Sequence, residues 1–488
     1  MAHDLNRRQA IWQLGATTAG LIGGSHARAA SAFLQTPADL EQFAERVRKE
    51  PAANTLPFVA EQIKQGASWQ ELLAAVFLAG ARDIRPRPHG ILHTVMMVES
   101  TFQLADAATT PRDAWQLVLF NLQDFKSSQV RDSREDNDYR MQAIAVDRSL
   151  TAADAKQQFV AAMQTFDSKR AEHAVVQLLP HVSRTEFFEL FRPFSTRCYA
   201  FIGHKVIYAA HVERVLQRIG WQYAEPALRS LVLASLVGRD TKSFDAVRKL
   251  TKTVPEAWLT QSGGDGQALF DELRACRAND AAALVSQHVQ RGLDSSRAWD
   301  AIIRLGSLVF QRRPGRRASD GRTALLPVHA LTVPNAMRSS FLRSRDADTK
   351  KLLLLQAAAW TVALRDDLVR MVNLSMHARQ RIDARQEPES LDDAFAASSP
   401  SALRALLRRD ERDLAESCQR LRAALVRTGS EHHQYKYAAA MFEESQRVEE
   451  SLRPTLVAAA VDYLANHQDR ETAFHRAANT MLGAAKLR

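Results

Sequence analysis

The sequence predicts an all-α protein made of diverged helical repeats, about four units around a central cavity. Three observations predict it. Ala, Leu, Arg and Gln dominate, and no strand-like alternation persists beyond a few residues. Helix-start signals recur along the chain. Four segments share one plan: a histidine near a helix start, an apolar helix, a short break, then a second apolar helix.

Taken in order, the first start is Thr36-Pro37-Ala38-Asp39, which offers a cap, a proline at the first helical position and an acid in the first turn. Ser68-Trp69-Gln70-Glu71 reads as a capping box. The first histidine unit begins at His93 and continues after Thr110-Pro111-Arg112-Asp113 into the helix around Trp115–Leu122. Thr151-Ala152-Ala153-Asp154 opens the next helix. The second unit is Gly203-His204 to His211, broken at Gly220-Trp221 and resumed at Ala227–Ala234. The third starts at Val328-His329, with Asp348-Thr349 opening its second helix near Leu352. The fourth starts at His433 and resumes near Thr455. Helices bearing Trp69, Phe187 and Trp299 precede the first three units. Loops are expected at Arg131–Arg140, Gln261–Gly266, Gln311–Gly321 and Arg385–Pro400. They give sub-boundaries near 140, 262 and 316 within one helical domain over 30–488.

The histidines recur after 111, 125 and 104 residues, and the second helix follows each at a near-constant offset, at Leu117, Leu228, Leu352 and Leu456. Equivalent repeats place equivalent residues on one inner surface. His93, His204, His329 and His433 are therefore the candidate metal ligands, since neutral imidazole offers a lone pair without a charge to bury. His89, four residues before His93, is a reserve ligand, as are His211, seven after His204, and Glu443. Asp124, Lys126, Tyr435 and Lys436 are further polar candidates for a cleft. Iron, manganese or another transition metal would suit such a set, as in bundles where facing helices supply imidazole and carboxylate.

Other classes are disfavoured. No Gly-x-Ser-x-Gly, P-loop or dinucleotide-binding glycine pattern occurs. Cys198, Cys276 and Cys418 lie far apart with no CxxC, so no zinc ribbon or c-type haem site is expected, and buried thiols are favoured over a disulfide. The net charge of +10 sits in separate clusters such as Arg312-Arg313 with Arg316-Arg317, not on a continuous face with interleaved aromatics, so no nucleic-acid partner is expected. No run after the N-terminus approaches a bilayer span, so no stable membrane insertion is expected.

The first 29 residues read as a twin-arginine signal peptide. Arg7-Arg8 precede a weakly apolar stretch from Ala10 to Gly24, and Ala27 and Ala29 suit cleavage after Ala29. The translocase of that pathway is then a partner during export, and the mature protein is periplasmic or at the cell surface.

The histidine-bearing units, with Gly203-His204-Lys205 and Gly220-Trp221 downstream, resemble questin-oxidase-like proteins over Pro88–Leu464 in pattern. That resemblance implies a helical, histidine-rich enzyme and a Baeyer–Villiger-type oxidation. Export departs from the family pattern. The segment from Leu119 to Gln129 is similar to uncharacterised exported bacterial proteins, which implies no chemistry. Two readings follow: an exported metal- or cofactor-dependent oxidoreductase acting on a small molecule, or a helical-repeat protein that binds a peptide, glycan or protein without catalysis. Replacing Arg7 and Arg8 by Lys is expected to hold the protein in the cytoplasm with its N-terminus uncut. Undiminished export of that variant through the same pathway would contradict the signal.

Overall fold

The structure, a computed structural model, describes residues 34, 36–87, 90–197, 200–238, 242–313, 325–372, 390–396, 403, 407, 411–465, 471–485 and 487. The expected signal, His89, Cys198 and the boundary near 316 lie outside the described residues.

Among the described residues the fold is helical, with no strand. The N-terminal half comprises α1 (Pro37–Lys49), α2 (Thr55–Lys64), α3 (Trp69–Asp83), α4 (His93–Asp106), α5 (Pro111–Glu135), α6 (Ala152–Thr165), α7 (Ser168–Leu178), α8 (Arg184–Ser195), α9 (His204–Ile219) and α10 (Ala224–Leu236). The C-terminal half comprises α11 (Lys242–Thr251), α12 (Gly266–Ala275), α13 (Ala278–Gln290), α14 (Ser295–Gln311), α15 (His329–Arg343), α16 (Ala347–Val372), α17 (Leu391–Ala396), α18 (Glu411–Thr428), α19 (His432–Arg447), α20 (Arg453–Ala459), α21 (Val461–Leu464) and α22 (Ala473–Ala484).

The local signals act as the sequence suggests. The Thr36, Thr110 and Thr151 side chains accept the backbone N–H three residues on, and Ser68 and Glu71 form a reciprocal capping box. Two expected loops are partly helical. α5 runs on to Glu135, because Arg131 pairs with Glu135 one turn later and Asp132 is buried. α17 lies inside the expected loop at Arg385–Pro400, where Leu391, Ala394 and Phe395 form a short buried face. Gly220 does end α9, at φ +113°, and Trp221 packs half-buried on the core.

Packing places α4, α9, α15 and α19 in a closed ring: α4 contacts α9, α9 contacts α15, α15 contacts α19, and α19 returns to α4. Each carries a histidine in its first two residues. An outer helix backs each one: α5 on α4, α10 on α9, α16 on α15 and α20 on α19. The upstream helices α3, α8, α14 and α18 pack on the same four in turn. One apolar core runs through α1–α10 and α17–α22 and is joined by Ile303 and Phe310 of α14 and Leu331 of α15, and a second lies among α9 and α11–α16.

The histidine-bearing helices start without help from Ser, Thr or Asp caps. α4, α9 and α15 emerge from 3₁₀ turns at Gly90–Leu92, Ala200–Gly203 and Leu326–Val328. α19 is capped by Glu431, whose carboxylate accepts the His433 N–H. No described helix is long and apolar enough to cross a membrane.

One close crossing fixes α15 against α14. A Cβ on Gly306 would lie 2.0 Å from the carbonyl oxygen of Ala330, one residue after His329. Gly306→Ala is expected to force the helices apart and lower stability by about 1–3 kcal/mol, read as a drop in the urea midpoint. An unchanged midpoint would contradict this packing.

Candidate metal centre

The starts of the four ring helices bring their histidines together. The ring centroids of His93 and His204 are 4.6 Å apart, those of His204 and His329 4.7 Å, those of His93 and His433 4.6 Å, and those of His329 and His433 5.4 Å. All four side chains are buried. His93, His204 and His433 each offer a nitrogen within 4.8 Å of the other two.

Hydrogen-bond partners fix the tautomers. His204 Nδ1–H donates to the Phe201 carbonyl at 2.6 Å, and His329 Nδ1–H to the Leu326 carbonyl at 3.3 Å. His433 Nδ1–H donates to a Glu431 carboxylate oxygen at 2.5 Å. Each of these rings thus keeps its lone pair on Nε2. The Nε2 atoms of His204 and His329 face one another at 3.1 Å. With both Nδ1 hydrogens given to carbonyls, two neutral rings place lone pair against lone pair there, a contact that a bound metal ion or a shared proton would relieve. His93 differs: the Lys436 ammonium donates to its Nδ1 at 3.1 Å, which puts the hydrogen of a neutral His93 on Nε2.

Burial sets the charge state. It drives His93, His204 and His433 well below the ordinary imidazole range, with the Lys436 charge and neighbouring imidazoles adding to the effect. It lowers His329 to about 3, helped by Lys436 and opposed by the Leu326 carbonyl. Lys436 itself is lowered to about 8 by burial, with Glu431 and Asp124 offsetting part of the cost. The four imidazoles are neutral at pH 7, the form a metal requires.

Two residues that sequence reasoning passed over join the site. His432 lies with its ring 4.3 Å from that of His93 and 4.5 Å from that of His433. Its Nδ1 is 3.7 Å from Asp124, and its Nε2 is 3.1 Å from Glu431. Glu431, His432 and His433 also form a cluster that could hold an ion. The signal was present in the run Glu431-His432-His433 at a helix start. Asp124 and Lys436, both named from sequence, flank the site.

The other candidates are placed elsewhere. Lys126 donates to the Val47 and Arg48 carbonyls at the C-terminal end of α1, and burial lowers it to about 8. Its work is capping. Tyr435 stacks on Phe120 with ring centroids 4.8 Å apart, turned away from the histidines by its position two residues after His433. His211 donates from Nδ1 to the Met96 carbonyl and stands 3.9 Å from Glu99.

Glu443 belongs to an ion-pair layer further along the ring helices. Arg214 donates two hydrogen bonds to Glu443 and pairs with Glu99 at 2.7 Å, and Arg447 pairs with Glu443 at 2.6 Å. Asn335 bridges Glu443 and Glu444, and Arg338 joins Glu444 to Asp300. Burial alone would raise the Glu443 carboxyl, but Arg214 and Arg447 hold it far below the usual range. A carboxylate so engaged is not free for a metal some 15 Å along the helix. Cys276 and Cys418 are free thiols, and burial raises both.

Comparison with known protein families, curated proteins and solved structures finds no match for this chain.

The metal-free protein is expected to lose stability as pH falls from about 6.5 to about 3. Below 6.5 the unfolded chain binds protons that the folded imidazoles refuse, so acid favours unfolding. His329 alone contributes on the order of a few kcal/mol across that window. Urea midpoints measured from pH 7.5 downward should fall, and His329→Gln should flatten the profile. A profile of equal slope in the variant would contradict the buried neutral imidazole.

Proposed function

We propose that this chain is an exported, metal-dependent oxidoreductase acting on a small molecule. In this reading four diverged helical units each deliver one histidine to a shared transition-metal centre, iron or manganese: His204, His329 and His433 through Nε2, and His93 through Nδ1 once the metal displaces the Lys436 ammonium from it. The observation that carries the metal is the His204–His329 contact. Two Nε2 atoms 3.1 Å apart, each with its Nδ1 hydrogen given to a carbonyl, stand at about the separation of adjacent nitrogen ligands on one ion. His433, with Nδ1 donating to Glu431, has the outer-shell carboxylate that orients metal-bound imidazole.

The donor chemistry supports a transition metal over calcium or magnesium, which take oxygen ligands. Neutral imidazoles leave the charge of the ion largely intact, which suits binding of an anionic oxygen group or electron transfer to it. Lys436 and Asp124 border the site as a cation and a carboxylate able to hold or move a proton. The repeat reading is supported by the common order of upstream helix, histidine helix and outer helix in all four units. Oxidation agrees with the resemblance to questin-oxidase-like proteins, and export rests on Arg7-Arg8 and the Ala27–Ala29 cleavage pattern.

Protein purified from its exported compartment is expected to carry about one iron or manganese per chain by elemental analysis. His204→Ala should abolish that metal with the helical circular-dichroism signal retained, and Glu431→Gln should weaken metal affinity by roughly 10–100-fold. Protein that holds no metal and takes up neither Fe²⁺ nor Mn²⁺ on titration would overturn the reading.

A further inference from the structure

Beside the histidines, outside the ring, lies a pocket of about 790 Å³ between α11, α13 and α16. Its walls include Phe201, Ile202, Val247, Leu326, Trp360 and Ala363, and its surface is mainly apolar. That volume is in the range that encloses a drug-sized ligand.

One feature makes this more than an apolar hollow.

It is the wall shared with the histidine site. Phe201 and Leu326 line the pocket, and their carbonyls are the acceptors for His204 and His329 Nδ1. Phe201, Ile202 and Gly203 all lie in the left-handed region, at φ +59°, +56° and +74°. Only Gly203 is suited to it, and a Cβ there would strike Val333 at 2.4 Å. A β-branched residue such as Ile202 in that region is strained, and such strain gathers at ligand sites. The side chains that meet a pocket ligand are thus one carbonyl away from two of the histidines.

We propose that this pocket binds an apolar small molecule. We further infer that its occupancy is felt at His204 and His329 through the Phe201 and Leu326 carbonyls. The pocket is then the substrate pocket of the proposed metal centre, a clause that rests on the function proposed above.

The test uses the full chain in excess chelator, so that it does not depend on the metal, with Nile red as an apolar probe. The expected result is saturable one-to-one binding with a blue-shifted emission. Ala363→Trp on α16, and Ala246→Trp on the exposed rim of α11, should each weaken binding at least tenfold with the helical signal unchanged. In protein carrying ¹⁵N-labelled histidine, the dye should shift the His204 and His329 ring resonances. Dye affinity unaffected by both tryptophans would overturn the pocket, and unmoved ring resonances would overturn its link to the histidines. Neither outcome depends on whether the site holds a metal.

Discussion

The ion-pair layer centred on Arg214 and Glu443 is the constraint on which the arrangement of the site depends. Arg214 on α9 binds Glu99 on α4 and Glu443 on α19, and Asn335 on α15 binds Glu443 and Glu444. The layer thus joins α4 to α9, α9 to α19 across the ring, and α15 to α19. Apolar packing alone tolerates rotation and sliding of helices, whereas a buried guanidinium paired with two carboxylates does not. Removing one partner from such a buried pair costs about 3–5 kcal/mol, because the charge left behind has no water. The layer is less a source of net stability than a device that sets helix rotation and register.

From that register the histidine geometry follows. His204 and Arg214 are ten residues apart on α9, and His433 and Glu443 are ten apart on α19. The same offset on two helices that face one another across the ring means that pairing Arg214 with Glu443 also brings His204 near His433. At the helix starts the backbone then finishes the work. The 3₁₀ turns before α9 and α15 turn carbonyls back onto Nδ1, which leaves Nε2 facing inward. Burial keeps the rings neutral, and Lys436 adds a positive charge that opposes their protonation further. The result is a buried cluster of neutral imidazoles, with the Nε2 atoms of His204 and His329 facing one another.

Much of this was legible in the sequence, and the reasons differ by element. The caps at Thr36, Ser68, Thr110 and Thr151 are local chemistry and read directly. The four histidines could be singled out because their spacing to a second apolar helix is nearly constant, which is a property of chain order and not of contacts. Glu443 was legible as a residue on the right helix but not as a member of the ion layer. Periodicity places it near the face of His433 without saying that Arg214 waits ten residues after His204. Lys126 could not be assigned, because its acceptors on Val47 and Arg48 are backbone atoms on another helix. His432 was hidden by its neighbour: adjacent residues on a helix point about 100° apart, so a pair suggests one ligand, yet at a helix start both rings reach the site. The left-handed turn at Phe201 and Ile202 has no sequence signal at all, since neither residue favours it.

X-ray absorption at the metal edge would show whether the converging histidines hold one ion. The expected spectrum has a first shell of nitrogen or oxygen at about 2.0–2.2 Å, with the outer-shell scattering pattern of at least three imidazole rings, reduced by one ring in His329→Gln. A spectrum without imidazole scattering, or one that His329→Gln leaves unchanged, would contradict a metal held by the converging helix starts.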